Sequence, residues 1–198
     1  MADARQDERQ PEVKVALLGV PGAGKASILQ GIADRVAGAG VRVGEVEGGR
    51  VVRTTFLWPQ PLADGSRLKV RLFALSGSPH YNAASELVMA RCDGIVFVAD
   101  AAGERAVQAR EALQAMVSNA QRHKMDLASL PVAMQYHRTD LQPGFNAEEM
   151  DAWLGIAPGT MPRFATSARN GTDPAAAVAW VLTELARRHD GAGATNGA

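Results

Sequence analysis

Two spacings of apolar residues take turns along the chain. Residues 13–18 form a short apolar run that stops at Gly19, the pattern of a buried strand. Residues 25–37 carry Ile28, Ile32 and Val36 at helical spacing, and Gly38 and Gly40 follow as a stop signal. Two β-rich runs come next, 50–58 and 67–75. In the second, Leu68, Val70 and Leu72 face one way, and Lys69 and Arg71 the other. Asp64, Gly65 and Ser66 lie in the loop between these runs, so they read as an antiparallel hairpin. The spacing then predicts a short helix over 83–92, a fully buried strand over 94–99 and a long amphipathic helix over 104–123. Leu113, Met116 and Val117 line one stripe of that helix. A strand over 131–136, a helix over 146–154 opened by Asn146, a short strand over 163–167 and a last helix over 174–188 complete the series. Asp173 and Pro174 are suited to open that last helix.

Strands alternating with helices imply an α/β fold, a mostly parallel sheet with helices on both faces. We expect six strands, one of them an antiparallel edge strand from the hairpin. Residues 1–11 and 190–198 lack apolar periodicity and are expected to be disordered tails around one domain, 12–189.

Composition narrows the class. The chain has 198 residues, enough for one sizeable core, with 46% hydrophobic and 21% charged residues. Lys plus Arg and Asp plus Glu each number 21, so no net charge draws in nucleic acid or anionic lipid. The single Cys92 excludes an intrachain disulfide and a Cys-rich zinc site, and reads as a small core residue. The first residues are charged and carry no secretory apolar stretch, and no apolar run nears the roughly 18 residues of a membrane span. A cytoplasmic protein is expected. Trp58, Trp153 and Trp180 read as packing anchors, with Trp58 also placed to join a partner surface.

The chemistry concentrates after the first strand. There the chain reads Gly19, Val20, Pro21, Gly22, Ala23, Gly24, Lys25, Ala26, Ser27 and then a helix, the order of a phosphate-binding loop. Glycines let backbone N–H groups turn inward toward a phosphate, the helix N-terminus adds partial positive charge, and Lys25 reaches the outer phosphates. A Gly-rich turn that binds nothing is the plain alternative. One residue departs from the motif. The position after Lys25 normally carries the Ser or Thr hydroxyl that ligates Mg²⁺, and here it is Ala26. Ser27 lies about 100° further round the helix, suited to an inner phosphate rather than to the metal. No metal-ligating residue is assigned.

With that loop in view, the chain resembles the bacterial Ras-like small GTPases of the MglA type. The resemblance rests on Arg53, Thr54, Thr55 and Phe56 as a switch segment, and on Gly77 with Tyr81 and Ala83 as a second switch. It rests also on the strand from Asp93 to Asp100, on Gln135, Tyr136, His137, Arg138, Thr139, Asp140 and Leu141 as a guanine-recognition segment, and on the stretch from Val181 to Leu185. It spans nearly the whole chain and implies a Ras-like G domain that binds GTP or GDP. It implies that Arg53 acts as an intrinsic arginine finger and that Thr54 senses the outermost phosphate, these two being the catalytic candidates. It implies that His137, Arg138 and Asp140 recognise guanine, with Ser167 and Ala168 behind the base. Asp140 would accept from guanine donors that adenine lacks. The resemblance also implies a protein partner at the switches, of the dimeric roadblock type, in cell polarity or gliding motility.

The departures bear on activity. Ala26 removes a metal ligand, and Ser78 is too short to orient water where the family has Gln. His137 replaces the Asn that ties the base loop to the phosphate loop. Arg138 for Lys is milder, because its stem still lies along a base. Ala74 stands where most Ras-like proteins have Asp, which the MglA type also lacks. His80 is near enough to Ser78 to position water, and Asp100 to approach a metal through water, although a loop residue and a strand-end cap are the simpler roles. The expected function is a guanine-nucleotide-binding or pseudo-GTPase regulator. The alternatives are an active Mg²⁺-dependent GTPase completed by a partner and a nucleotide-free scaffold.

Overall fold

The computed structural model describes residues 10–36, 38–46, 49–76, 83–102, 105–167, 169 and 172–195. The elements run β1 (Glu12–Leu18), α1 (Lys25–Ala33), β2 (Gly40–Val46), β3 (Gly49–Pro61), β4 (Arg67–Ser76), α2 (Ala83–Met89), β5 (Gly94–Asp100), α3 (Ala106–Arg122), β6 (Val132–His137), α4 (Ala147–Leu154), β7 (Arg163–Thr166) and α5 (Ala176–Thr195). A single turn of 3₁₀ helix, Thr139–Leu141, follows β6.

All strands join one seven-stranded sheet in the order β2-β3-β4-β1-β5-β6-β7. β4, β1, β5, β6 and β7 pair in parallel, and β3 is antiparallel to both of its neighbours. The sheet has the expected antiparallel edge, but seven strands in place of six, and the edge is not a strand of the hairpin. β3 lies inside the sheet, and the edge is β2, which the glycines at 38, 40 and 44 disguise as a loop. β2 pairs on one side only, so short alternation around Val41 and Val43 suffices to hold it.

The apolar runs become strands because their neighbours bury them. Every residue of β5 is buried between β1 and β6. α1 covers β2, β3 and β4, and α5 covers β5, β6 and β7. An ion pair between Arg35 and Asp173 joins the end of α1 to the start of α5 on that face. α2 and α3 cover the other face, and α4 packs on α3. Close packing recurs at Gly94, where a Cβ would come within 2.4 Å of Val181 on α5. Cys92 is buried.

The helix starts follow their sequence signals. Asn146 Oδ1 accepts from the N–H of Glu148 and Glu149 at the head of α4, and Asp173 Oδ1 accepts from Ala175 N ahead of α5. The far end of α5 differs, for it continues to Thr195 through residues expected in the tail. Extending a nucleated, packed helix costs far less than starting one, and Asp190 Oδ1 ties it to Ala63 N of the β3–β4 loop at 2.9 Å. The tryptophans divide. Trp180 packs against Phe164 with ring centroids 6.5 Å apart, and Trp58 packs against the core from its edge. Trp153, expected as an anchor, is instead 65% exposed on α4, at the wall of an open cavity shared with Phe145 and Met150.

In the β2–β3 pair, Arg42 stands directly opposite Arg53, both exposed. Like charges directly opposite across an antiparallel pair are destabilising. Arg42→Glu should therefore stabilise the fold by roughly 0.2–1 kcal/mol in urea denaturation at low salt. An unchanged or lower stability would contradict this pairing.

Candidate functional site

β1 delivers Gly19 to the carboxyl edge of the sheet between β4 and β5, where ligands of open α/β sheets bind. The chain then curls through Gly19–Gly24 before α1 begins at Lys25. Gly24 has φ +96°, in the left-handed region, and a Cβ there would lie 2.2 Å from the His137 ring. Glycine is thus demanded both by backbone conformation and by the close approach of β6. No side chain caps α1, so its first turn faces the loop's concave side with its own N–H groups. Ala23 is buried beneath the loop, whereas Ala26 and Ser27 are exposed.

Lys25 is only 5% exposed. Its ammonium folds back under the loop and donates to Gly19 O at 2.8 Å and Val20 O at 2.6 Å. Burial lowers its pKa to about 8. Among the described residues its hydrogen-bond partners are neutral carbonyls, which leaves its charge uncompensated there.

The other wall comes from the end of β6. His137 is buried, with Nδ1 3.1 Å from Thr166 Oγ1 on β7. Burial, and then the neighbouring Arg138, push its pKa down, so the ring stays neutral near pH 7. Arg138 adopts φ +68°, which turns its side chain back across the loop. Its Nη1 donates to Gly22 O at 3.1 Å and to Asp100 Oδ2 at 2.7 Å. Asp140, on the 3₁₀ turn, accepts a short hydrogen bond from Ser167 Oγ, which lowers its pKa and keeps the carboxylate ionised. An open cavity of about 390 Å³ lies among Gly22, Gly24, Ser27, His137, Arg138, Asp140, Leu141 and Arg169.

The structure thus joins two segments 110 residues apart, from Ser27 to His137, around one cavity. Ser167 is tied to them by its bond to Asp140, while Ala168 lies outside the described residues. Gly77, Ser78, His80 and Tyr81 also lie outside them. Arg53 and Thr54 are elsewhere. Thr54 sits opposite Leu72, and Leu72 opposite Val15, in mid-sheet. That is three residues short of Leu18, about 10 Å along the strand, and two strands across. Thr54 is buried, its Oγ1 without a hydrogen-bond partner among the described residues, and Arg53 faces solvent.

The residues fit a phosphate and a purine edge but not a protein-bound Mg²⁺. Ala26 offers a methyl, and Asp100, the nearby carboxylate, is engaged by Arg138 and by Ala102 N. No cluster of three metal-binding side chains occurs among the described residues. Two further arginines reach the site without having been singled out in the sequence. Arg105 donates from Nη1 to Pro21 O at 2.7 Å, and Arg169 lines the cavity. Arg105 follows the carboxyl end of a buried strand, and that position was the available signal.

Burial of Lys25 gives a pH dependence whose sign is fixed. Its folded pKa lies below its ordinary 10.5, so between about pH 8 and 10.5 the unfolded chain holds a proton that the folded chain has released. Stability must rise with pH across that window. In urea denaturation of nucleotide-free protein, wild type should gain stability relative to Lys25→Met from pH 8 to 10. A constant difference would show that this ammonium is not buried.

No family model matches the chain. Among curated proteins it is similar to the mutual gliding-motility protein MglA of Myxococcus xanthus (strain DK1622), 33% identical over 141 residues that cover 67% of this chain and 71% of that protein. With a mostly parallel sheet, a loop of phosphate-binding sequence at its carboxyl edge and this degree of identity, the chain belongs to the MglA family of Ras-like small GTPases.

Proposed function

We propose that this protein is a guanine-nucleotide-binding regulator of the MglA type whose hydrolytic apparatus has decayed. One observation supports this reading above the others. The glycine loop and the Asp140 segment, recognisable separately in sequence, line a single cavity. Guanine nucleotide, when bound, supplies the phosphates for the loop and the N1–H and 2-amino donors for a carboxylate.

Each residue then has a task. Lys25 gains an anionic partner in place of Gly19 and Val20 carbonyls, a stronger charge-assisted bond. Asp140, ionised and oriented by Ser167, accepts from the purine edge. Arg138 lies along the base with its aliphatic stem while its guanidinium holds Gly22 and Asp100 in register. His137 fills the space beneath Gly24 that the family's Asn would occupy. Hydrolysis is poorly served. Losing a metal ligand or a charge-neutralising group costs on the order of 10²–10³ in rate each, and Arg53 and Thr54 stand away from the loop in this arrangement. An effect on other proteins, exerted through the switch segments and in a role related to motility or polarity, follows from the family. A dimer of the roadblock type is the proposed partner.

Nucleotide-free protein titrated with fluorescent GDP, GTP and ATP should bind both guanine nucleotides at least ten-fold more tightly than ATP. Lys25→Ala should lose at least ten-fold in affinity while the chain stays folded. Equal binding of ATP would remove Asp140 from base recognition, and no binding of any nucleotide would leave a scaffold.

A further inference from the structure

Four successive carbonyls of the loop accept from cationic side chains. Gly19 O and Val20 O accept from Lys25, Pro21 O from Arg105, and Gly22 O from Arg138. The three cations differ in what they have left to give. Lys25 is buried beneath the loop. Arg138 shares its Nη1 with the carboxylate of Asp100, which neutralises it. Arg105 is exposed at the head of α3, spends one donor on Pro21, and has no carboxylate partner among the described residues. A guanidinium carries five donors, so four remain.

Its position matters as much as its charge. The guanidinium lies against Gly22, 2.2 Å from where a Cβ would stand, and Gly22 has φ +78°. Pro21 precedes Gly22, whereas the cavity toward Asp140 opens beyond Gly22, on the Arg138 side. A purine seated on Asp140 therefore directs its outermost phosphate toward the Arg105 end of the loop.

We propose that Arg105 binds the outermost phosphate of the guanine nucleotide and supplies, with Lys25, the positive charge that Mg²⁺ would otherwise bring. The inference rests on the nucleotide site proposed above. It accounts for how a loop with alanine at position 26 and with its nearby aspartate engaged in an ion pair still meets a polyphosphate. Guanidinium groups suit this task, being permanently charged and able to take two phosphate oxygens at once.

The test uses the full chain, stripped of nucleotide, titrated with fluorescent GDP and GTP in EDTA and in millimolar Mg²⁺. Arg105→Ala is compared with Arg105→Gln, which keeps a donor for Pro21 O but loses the charge. The expected result is a wild-type affinity that changes less than three-fold with Mg²⁺. Both variants should lose at least ten-fold for GTP, and less for GDP, in EDTA, with unchanged melting temperatures. Two results would overturn the proposal: affinity that rises ten-fold or more on adding Mg²⁺, or Arg105→Gln binding GTP as wild type does. Wild type that binds neither nucleotide overturns the nucleotide site itself, and the role of Arg105 with it.

Discussion

The site depends on one uncomfortable charge. The Lys25 ammonium is buried at the start of α1, with the carbonyls of Gly19 and Val20 as its hydrogen-bond partners. Burying a cation is expensive unless it is paired. The depressed pKa is the measure of that cost in the free protein. An anion at the loop relieves it, so the same burial that destabilises the empty loop favours phosphate. The glycines follow from the same demand. The backbone must curl tightly enough to put two carbonyls on one ammonium and still clear the His137 ring at Gly24.

The sheet makes this arrangement rigid. β1 is held between β4 and β5, and β5 between β1 and β6, so the loop, Asp100 and His137 all leave the carboxyl edge of adjacent parallel strands. Asp100 and Arg138 stitch two of these ends together and touch the loop at Gly22. The Asp100 carboxylate is here a structural strut, bonded to Arg138 and to Ala102 N. Beside it, position 26 carries a methyl, and Lys25, Arg105 and Arg138 all donate to loop carbonyls.

Much of this was legible in the chain itself. The apolar runs that become β1 and β5 have no other stable home than a covered parallel sheet. The strand, glycine loop, lysine and helix come in an order that predicts a phosphate-binding loop, and the fold builds them in that order. Asn146 and Asp173 marked their helices because short polar side chains satisfy free N–H groups. What escaped was set by tertiary context. β2 is an edge strand with three glycines around it, and only its pairing with β3 makes it a strand. The end of α5 is Gly- and Ala-rich, and its helix is held by Asp190 reaching the β3–β4 loop. Arg53 and Thr54 carry a familiar motif, yet their depth in β3 depends on register, which no short motif encodes. Arg105 offered only its place after the end of a buried strand as a signal, because its contact with Pro21 O spans 84 residues.

Amide hydrogen exchange on nucleotide-free protein, with and without GDP in EDTA, maps the site most directly. Binding at the loop should slow exchange at 22–28 and around 137–141 and 167, and leave β2 and β3 near Arg53 and Thr54 unchanged. Protection confined to other surfaces, or none at saturating GDP, would contradict a nucleotide site built on the buried Lys25.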